Sequence, residues 1–353
     1  MSCRNKRFII DLASPADAEE ILKIYESGDF KGNISVLYTR RPDPLKSLRQ
    51  EGEKVVIPIV KDQTNNRICG MGCCVIRKAY LNGEIKNTGY LTGLKILPEY
   101  RKRLLPIADV YNFLYEQTKR EVDLYYTTIL QENTAVQKML EKKRKNMPEY
   151  LYQGDYTVYC FRTGRKVRSN NNYLIQKGEQ EGLLQFFQEQ SKKYQFAPEV
   201  TAMHQKFKQD IFSLCDSAGN ILAACLLWNQ QDYKQYIITE YQGIYKLLQR
   251  LPLKLCGYPP LPLPNTPANY ACVTMLYYVD FDPELTRYFL EKVAESAKKY
   301  DFLMLGLFAN HPLETVFTQI KHVKYQSRLY LVSWDNQPYH LDERPVNLEV
   351  GLL

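Results

Sequence analysis

The chain has 353 residues, 45% hydrophobic and 24% charged, which is the make-up of a folded protein too long for one ordinary core. No apolar run reaches the roughly 18 residues of a membrane span, and the start MSCRNKRFIIDLAS is too short in apolar residues for a secretory signal. Nine scattered cysteines, with no C-x-x-C pair and no His at zinc spacing, argue against a disulfide framework or a metal site. A cytoplasmic protein with no metal and no membrane partner is expected. The net charge of +8 is one-sided: residues 1–168 hold 30 basic against 20 acidic side chains, and residues 169–353 hold 17 against 19. That suits a first half that binds a polyanion.

In chain order, KRFIIDLAS reads as a strand and SPADAEEILKIYES as a helix, with Ser14 able to cap, Pro15 at its first position and Ile21, Ile24 and Tyr25 as an apolar stripe. VVIPIVKD is a strand. RICGMGCCVIRKAYLNGEIKNTGYLTGLKI is a pair of strands joined at Asn82-Gly83. The second of these ends at Pro98, three cations follow (Arg101, Lys102, Arg103), and an amphipathic helix opens at Pro106 with Ile107, Val110 and Leu114 on one face. A strand that runs through a basic turn into a helix start can hold a phosphate. DLYYTTIL is the next strand, QENTAVQKMLEK the next helix, and EYLYQ and YTVYCF two short strands.

GRKVRSNNN (164–172) is polar and aperiodic, and the domain boundary is placed there. The plan then repeats. NYLIQKG is a strand, EGLLQFFQEQSKKY a helix, and DIFSLCD and NILAACLLWN two strands. YACVTMLYYVD, DPELTRYFLEKVAESAKKYD, FLMLGLFAN, HPLETVFTQIK and SRLYLVSW alternate strand and helix to a final strand. The Pro-rich LPLKLCGYPPLPLPNTP (251–267) reads as an ordered surface loop.

Strand, basic turn, helix, strand and Asn-led helix is an order that resembles the core of the acyl-CoA N-acyltransferase (GNAT) superfamily. The resemblance implies an α/β fold of two tandem GNAT-like domains, 1–165 and 173–340, each a mixed, mostly antiparallel sheet flanked by helices. Family members carry V-x-P-x-x-[QR]-x-x-G-x-[GA] at the turn. Ile96, Leu97 and Pro98 match its start, and Arg101 falls at [QR], but Leu104 and Pro106 then stand where glycines belong. Taking Arg103 as [QR] instead puts Ala108 at the last position and Pro106 at the first glycine, in a turn two residues longer.

By this resemblance an acyl-CoA, acetyl-CoA or another, is the co-substrate. It would be held by Leu94, Lys95 and Ile96 through their main chain, and by Arg101, Lys102, Arg103, Leu104, Leu105, Ile107 and Ala108 at the turn. Asn133 matches a family Asn that bonds the pantetheine arm, or is a plain helix N-cap. Acyl transfer to an amine needs a base and an acid for the leaving thiolate. The family's Tyr position holds Leu140 here, which leaves Tyr126, Glu132 and Tyr90 as catalytic candidates. In the second half Asp280, Asp282 and Glu284 crowd the equivalent helix start, where they cap it and would repel a pyrophosphate. No coenzyme is expected there. His311 is a capping residue or a base reaching the cleft, and His204, His322 and His340 are structural.

The implied function is acyl transfer from an acyl-CoA to a small-molecule or peptide amine. The alternatives are a binding or regulatory protein on a degenerate transferase scaffold, and a Fem-type aminoacyl transferase. The run Lys142, Lys143, Arg144 and Lys145 is read as a solvated helix end, so nucleic acid is not an expected partner.

Overall fold

Asn82 and Gly83 both take positive φ (54° and 82°), as a two-residue hairpin turn demands, and they fold two long strands onto each other. The structure, a computed structural model, describes residues 7–103, 105–201, 203, 210–334 and 339–353. Leu104 and His204 lie outside the described residues. The first half runs β1 (Phe8–Leu12), α1 (Ala18–Tyr25), β2 (Ile34–Thr39), α2 (Pro44–Leu48), β3 (Lys54–Val56), β4 (Pro58–Asp62), β5 (Arg67–Leu81), β6 (Glu84–Ile96), α3 (Ile107–Thr118), β7 (Leu124–Leu130), α4 (Thr134–Glu141) and β8 (Glu149–Arg162). The second runs β9 (Tyr173–Lys177), α5 (Leu183–Ser191), β10 (Ile211–Asp216), β11 (Ile221–Trp228), β12 (Gln235–Tyr241), α6 (Tyr245–Leu248), β13 (Tyr270–Tyr278), α7 (Pro283–Ser296), β14 (Phe302–Phe308), α8 (Glu314–Phe317) and β15 (His322–Ser333).

One mixed, mostly antiparallel sheet of thirteen strands passes through both halves in the order β1-β4-β5-β6-β7-β15-β8-β14-β13-β11-β10-β9, with β3 pairing β5. The centre of this order is an exchange. β15, the last strand, lies between β7 and β8 of the first half. β8, the last strand of the first half, lies between β15 and β14 of the second. EYLYQ and YTVYCF, expected as two strands, are one continuous strand with a register shift beside Gly154.

Period-two alternation then sorts the side chains into two layers. Val75, Tyr90 and Leu331 point to a front face shared with Ile21 and Ile24 of α1 and Leu183 and Phe187 of α5. Cys74, Leu91, Tyr125 and Val332 point to a back face, under Leu114 of α3. Phe289, Leu290 and Val293 of α7 cover the back of the second half. A separate two-stranded sheet, β2 with β12, pairs one strand from each half. Neither strand of that pair was expected from the sequence.

Candidate active site

The two middle strands of the first half are parallel, yet they pair only at Thr88↔Leu124, Gly89↔Tyr125 and Tyr90↔Tyr126. Beyond that rung β6 continues to Ile96 and β7 to Leu130 with no further pairing, so the strands part and leave a V. A β-bulge lies on the open arm: Met71 faces Lys95 and Cys73 faces Thr92, so Gly93 and Leu94 together oppose Gly72. Gly93 has φ +64°, and a Cβ there would stand 2.8 Å from the Tyr25 hydroxyl. Both facts require glycine. Thr127 Oγ1 donates to the Leu91 carbonyl (2.7 Å) just past the last rung, and Tyr90 Oη and Thr128 Oγ1 share a bond of 2.8 Å.

Tyr90 and Tyr126 therefore flank the apex of the V on its front face, with ring centroids 5.1 Å apart. Burial raises both phenol pKa values, Tyr90's to about 12, so both stay protonated at neutral pH. Glu132 lies past the end of β7, exposed, and a Cβ on Gly32 would overlap its carboxylate. The loop after α1 thus reaches across to the tip of the other arm. Lys95 fixes the same loop from the β6 side, donating to the carbonyls of Tyr25 and Gly28. Burial and then Arg101 lower its pKa to about 8.

The basic turn is less open than its sequence implies. The amides of Arg101, Arg103, Leu105 and Ile107 donate to the carbonyls of Pro98, Tyr100, Arg103 and Leu105 (3.3, 2.9, 3.0 and 2.9 Å). Of the first helical turn, the amides of Ala108 and Asp109 have no protein acceptor among the described residues. The Arg101, Lys102 and Arg103 side chains are exposed, with Arg103 over the Tyr100 ring (4.9 Å) and Arg101 Nε near the Ile96 carbonyl (3.4 Å). Asn133 is the N-cap of α4, accepting from the Val136 amide at 3.4 Å.

No protein-family model matches this sequence, and no curated protein matches it. Solved structures do. A GCN5-related N-acetyltransferase from Sphaerobacter thermophilus superposes with a TM-score of 0.59 at 11% identity, covering 98% of this chain and 99% of that one. N-myristoyltransferase of Saccharomyces cerevisiae, with bound myristoyl-CoA, gives 0.59 at 8% identity over 98% and 90%. A GCN5-related N-acetyltransferase from Anabaena variabilis gives 0.52 at 10% identity over 92% and 72%. The chain has the GNAT fold.

The second half of this GNAT fold repeats the V. β13 and β14 are parallel only at Tyr270↔Phe302, Ala271↔Leu303 and Cys272↔Met304. A bulge follows, with Ala224 opposite Tyr277 and Leu226 opposite Thr274, so Met275 stands where Gly93 stands in the first half. Met275 also has positive φ, +52°. Its amide is taken: Glu349, buried on the segment after β15, accepts from it at 2.9 Å. Burial raises the Glu349 pKa to about 8, so its carboxyl is protonated at neutral pH. Asp282 caps α7, accepting from Glu284 and Leu285 (2.9 and 3.0 Å). His311 Nδ1 accepts from the Leu313 amide (3.2 Å), and burial lowers its pKa to about 4.

Sequence reasoning missed a buried ionic cluster on the front face. Arg40 NH1 and NH2 fork onto Glu51 (3.1 and 2.9 Å), and Lys234 from the second half meets the same carboxylate at 2.9 Å. Burial would raise the Glu51 pKa, but Arg40 and then Lys234 hold it at about 2. Lys234 lies 183 positions from Glu51 and 194 from Arg40, and nothing local in the sequence announces their meeting.

Proposed function

We propose that this chain transfers an acyl group from an acyl-CoA to an amine, using the V between β6 and β7. One observation carries the reading. The bulge amide of the second half takes an oxygen of Glu349, and among the described residues no side chain fills that place at the matching Gly93 and Leu94, where an oxygen from outside the chain would fit. A thioester carbonyl is such an oxygen, and a bulge amide aimed at it would stabilise the charge that develops when the amine attacks. Acyl-CoA supplies that carbonyl and a thiolate leaving group.

Leu94, Lys95 and Ile96 would meet the pantetheine arm through their main chain. Arg101, Lys102, Arg103 and the amides of Ala108 and Asp109 would face its phosphates. Leu105, Ile107 and Asn133 would line the same approach, Asn133 with its cap bond already made. As the amine forms its C–N bond, the C–S bond breaks, the thiolate needs a proton and the amine must lose one. Tyr90 or Tyr126, protonated at the apex, would give the first, and Glu132 would take the second through water. An amine acceptor would enter from the front face, between the loop after α1 and the β2/β12 pair. The second half, with its bulge filled by Glu349, braces that side and holds no coenzyme.

Calorimetric titration with acetyl-CoA, and with a long-chain acyl-CoA, tests the reading. Saturable binding that Gly93→Val abolishes is expected. A folded sample with no saturable heat for either would end it. The closed-in turn, with the amides of 101, 103, 105 and 107 bonded to its own carbonyls, favours a second reading as a degenerate acyl-CoA binder. Turnover with a panel of amines separates the two.

A further inference from the structure

Large aliphatic side chains seldom cluster in water unless something covers them. The insertion between β12 and β13 leaves five in one short segment: Ile244 (66% exposed), Leu247 (67%), Leu251 (57%), Leu255 (85%) and Leu263 (71%). The segment is held in place. Tyr241 Oη donates to the Pro262 carbonyl at 2.7 Å, and Lys254 pairs with Asp301 at 3.0 Å. Successive turns bond Leu247 and Leu248 to Ile244 and Arg250 to Leu247. Ile244, Leu247 and Leu251 therefore stand exposed on successive turns.

Charge accompanies them. Residues 242–267 contain Lys246, Arg250 and Lys254 and no acid. At Gly257 the insertion abuts a crevice also lined by Arg162, Arg165, Lys321 and Glu291. Among the described residues Lys246 and Arg250 have no ion-pair partner.

We propose that residues 244–263 dock the protein on an anionic membrane surface, with the aliphatic tips entering the headgroup region and the cations facing lipid phosphates and carboxylates. Protein interfaces favour aromatic and Arg anchors and disfavour Lys, whereas Leu and Ile edged by Lys and Arg suit a lipid boundary. A second copy is a poor cover, since a two-fold interface would set the same cations against each other. Among the described residues no helix is long and apolar enough to cross a membrane. The expectation of no membrane partner rests on spanning length, and surface docking needs no span.

The test is co-sedimentation of the full chain with vesicles of phosphatidylcholine and phosphatidylserine in equal parts, against phosphatidylcholine alone. Binding should be roughly tenfold or more tighter on the anionic vesicles and should weaken as salt rises. Leu247→Ser with Leu255→Ser, and separately Lys246→Ala with Arg250→Ala, should each lose about tenfold while the thermal midpoint holds. Equal sedimentation on both vesicles, or indifference to both variants, overturns the proposal. So does a concentration-dependent dimer in the ultracentrifuge that Leu255→Ser dissolves, because the patch then belongs to a second copy.

Discussion

Two residues at equivalent bulges meet the same backbone demand differently. Gly93 accepts a positive φ without strain, while Met275 holds one at a cost of about 1–3 kcal/mol that its neighbours must offset, the Glu349 bond among them. Gly93→Val should therefore lower stability by a similar amount and close the bulge against Tyr25. Urea unfolding would read the first effect, and the acyl-CoA titration the second. Glu349 predicts a pH dependence of definite sign. Its folded pKa, about 8, lies above the ordinary 4.5, so the stability it contributes is full below pH 4.5 and is lost as pH rises through 8. Across that window the wild type should lose up to about 1.4 kcal/mol per pH unit relative to Glu349→Gln. Denaturant midpoints for the pair from pH 5 to pH 8 would show parallel lines if the carboxyl were already ionised. Lys95 works the other way: its folded pKa is depressed to about 8, so its burial penalty eases as pH climbs from there toward its ordinary value of 10.5.

Among elements, the run from β6 through the basic turn to α3 was the most legible part of the sequence, because Pro98, the three cations and the Ile107/Val110/Leu114 stripe each mark a boundary locally. The V itself was implied by the family resemblance and not by the residues. Whether two apolar strands stay paired depends on what fills the gap, and Thr127 bonding Leu91 across it leaves no periodic signature. The same limit hid β2 and β12. Their six- and seven-residue runs pair across about 200 positions, and ISVLYT and QYIITEY look like loop edges when read alone. Asn133 and Asp282 show the converse, since capping is a local interaction and the sequence placed both. The turn carries its own test. Replacing Arg101, Lys102 and Arg103 with Gln should weaken acyl-CoA binding by about tenfold or more at low salt and less at high salt, since exposed cations act through a screened field. Titrations at two ionic strengths would show this, and a salt-independent loss would mean that the loop had refolded.

At the scale of the whole molecule, the exchange of β8 and β15 and the Arg40–Glu51–Lys234 cluster tie the halves into one sheet and one core. Glu51→Gln leaves two buried cations without their counter-charge and should cost about 3–5 kcal/mol, read by urea unfolding. Separating the halves should cost more. A fragment ending at Arg168 keeps β7 and β8 but loses β15 between them, so both strands would face the gap with unpaired backbone groups. Leu329 and Leu331, at 0% and 4% exposure, are also withdrawn from the front-face core. The fragment is expected to lack a cooperative transition on its own. Mixed with residues 169–353 it should regain one, because that piece carries β15 and has its own vacancy beside β14 for β8. Near-ultraviolet circular dichroism of each fragment and of the mixture would decide it. A cooperative melt of the first fragment alone would show that strand exchange joins two domains each able to fold, rather than completing one.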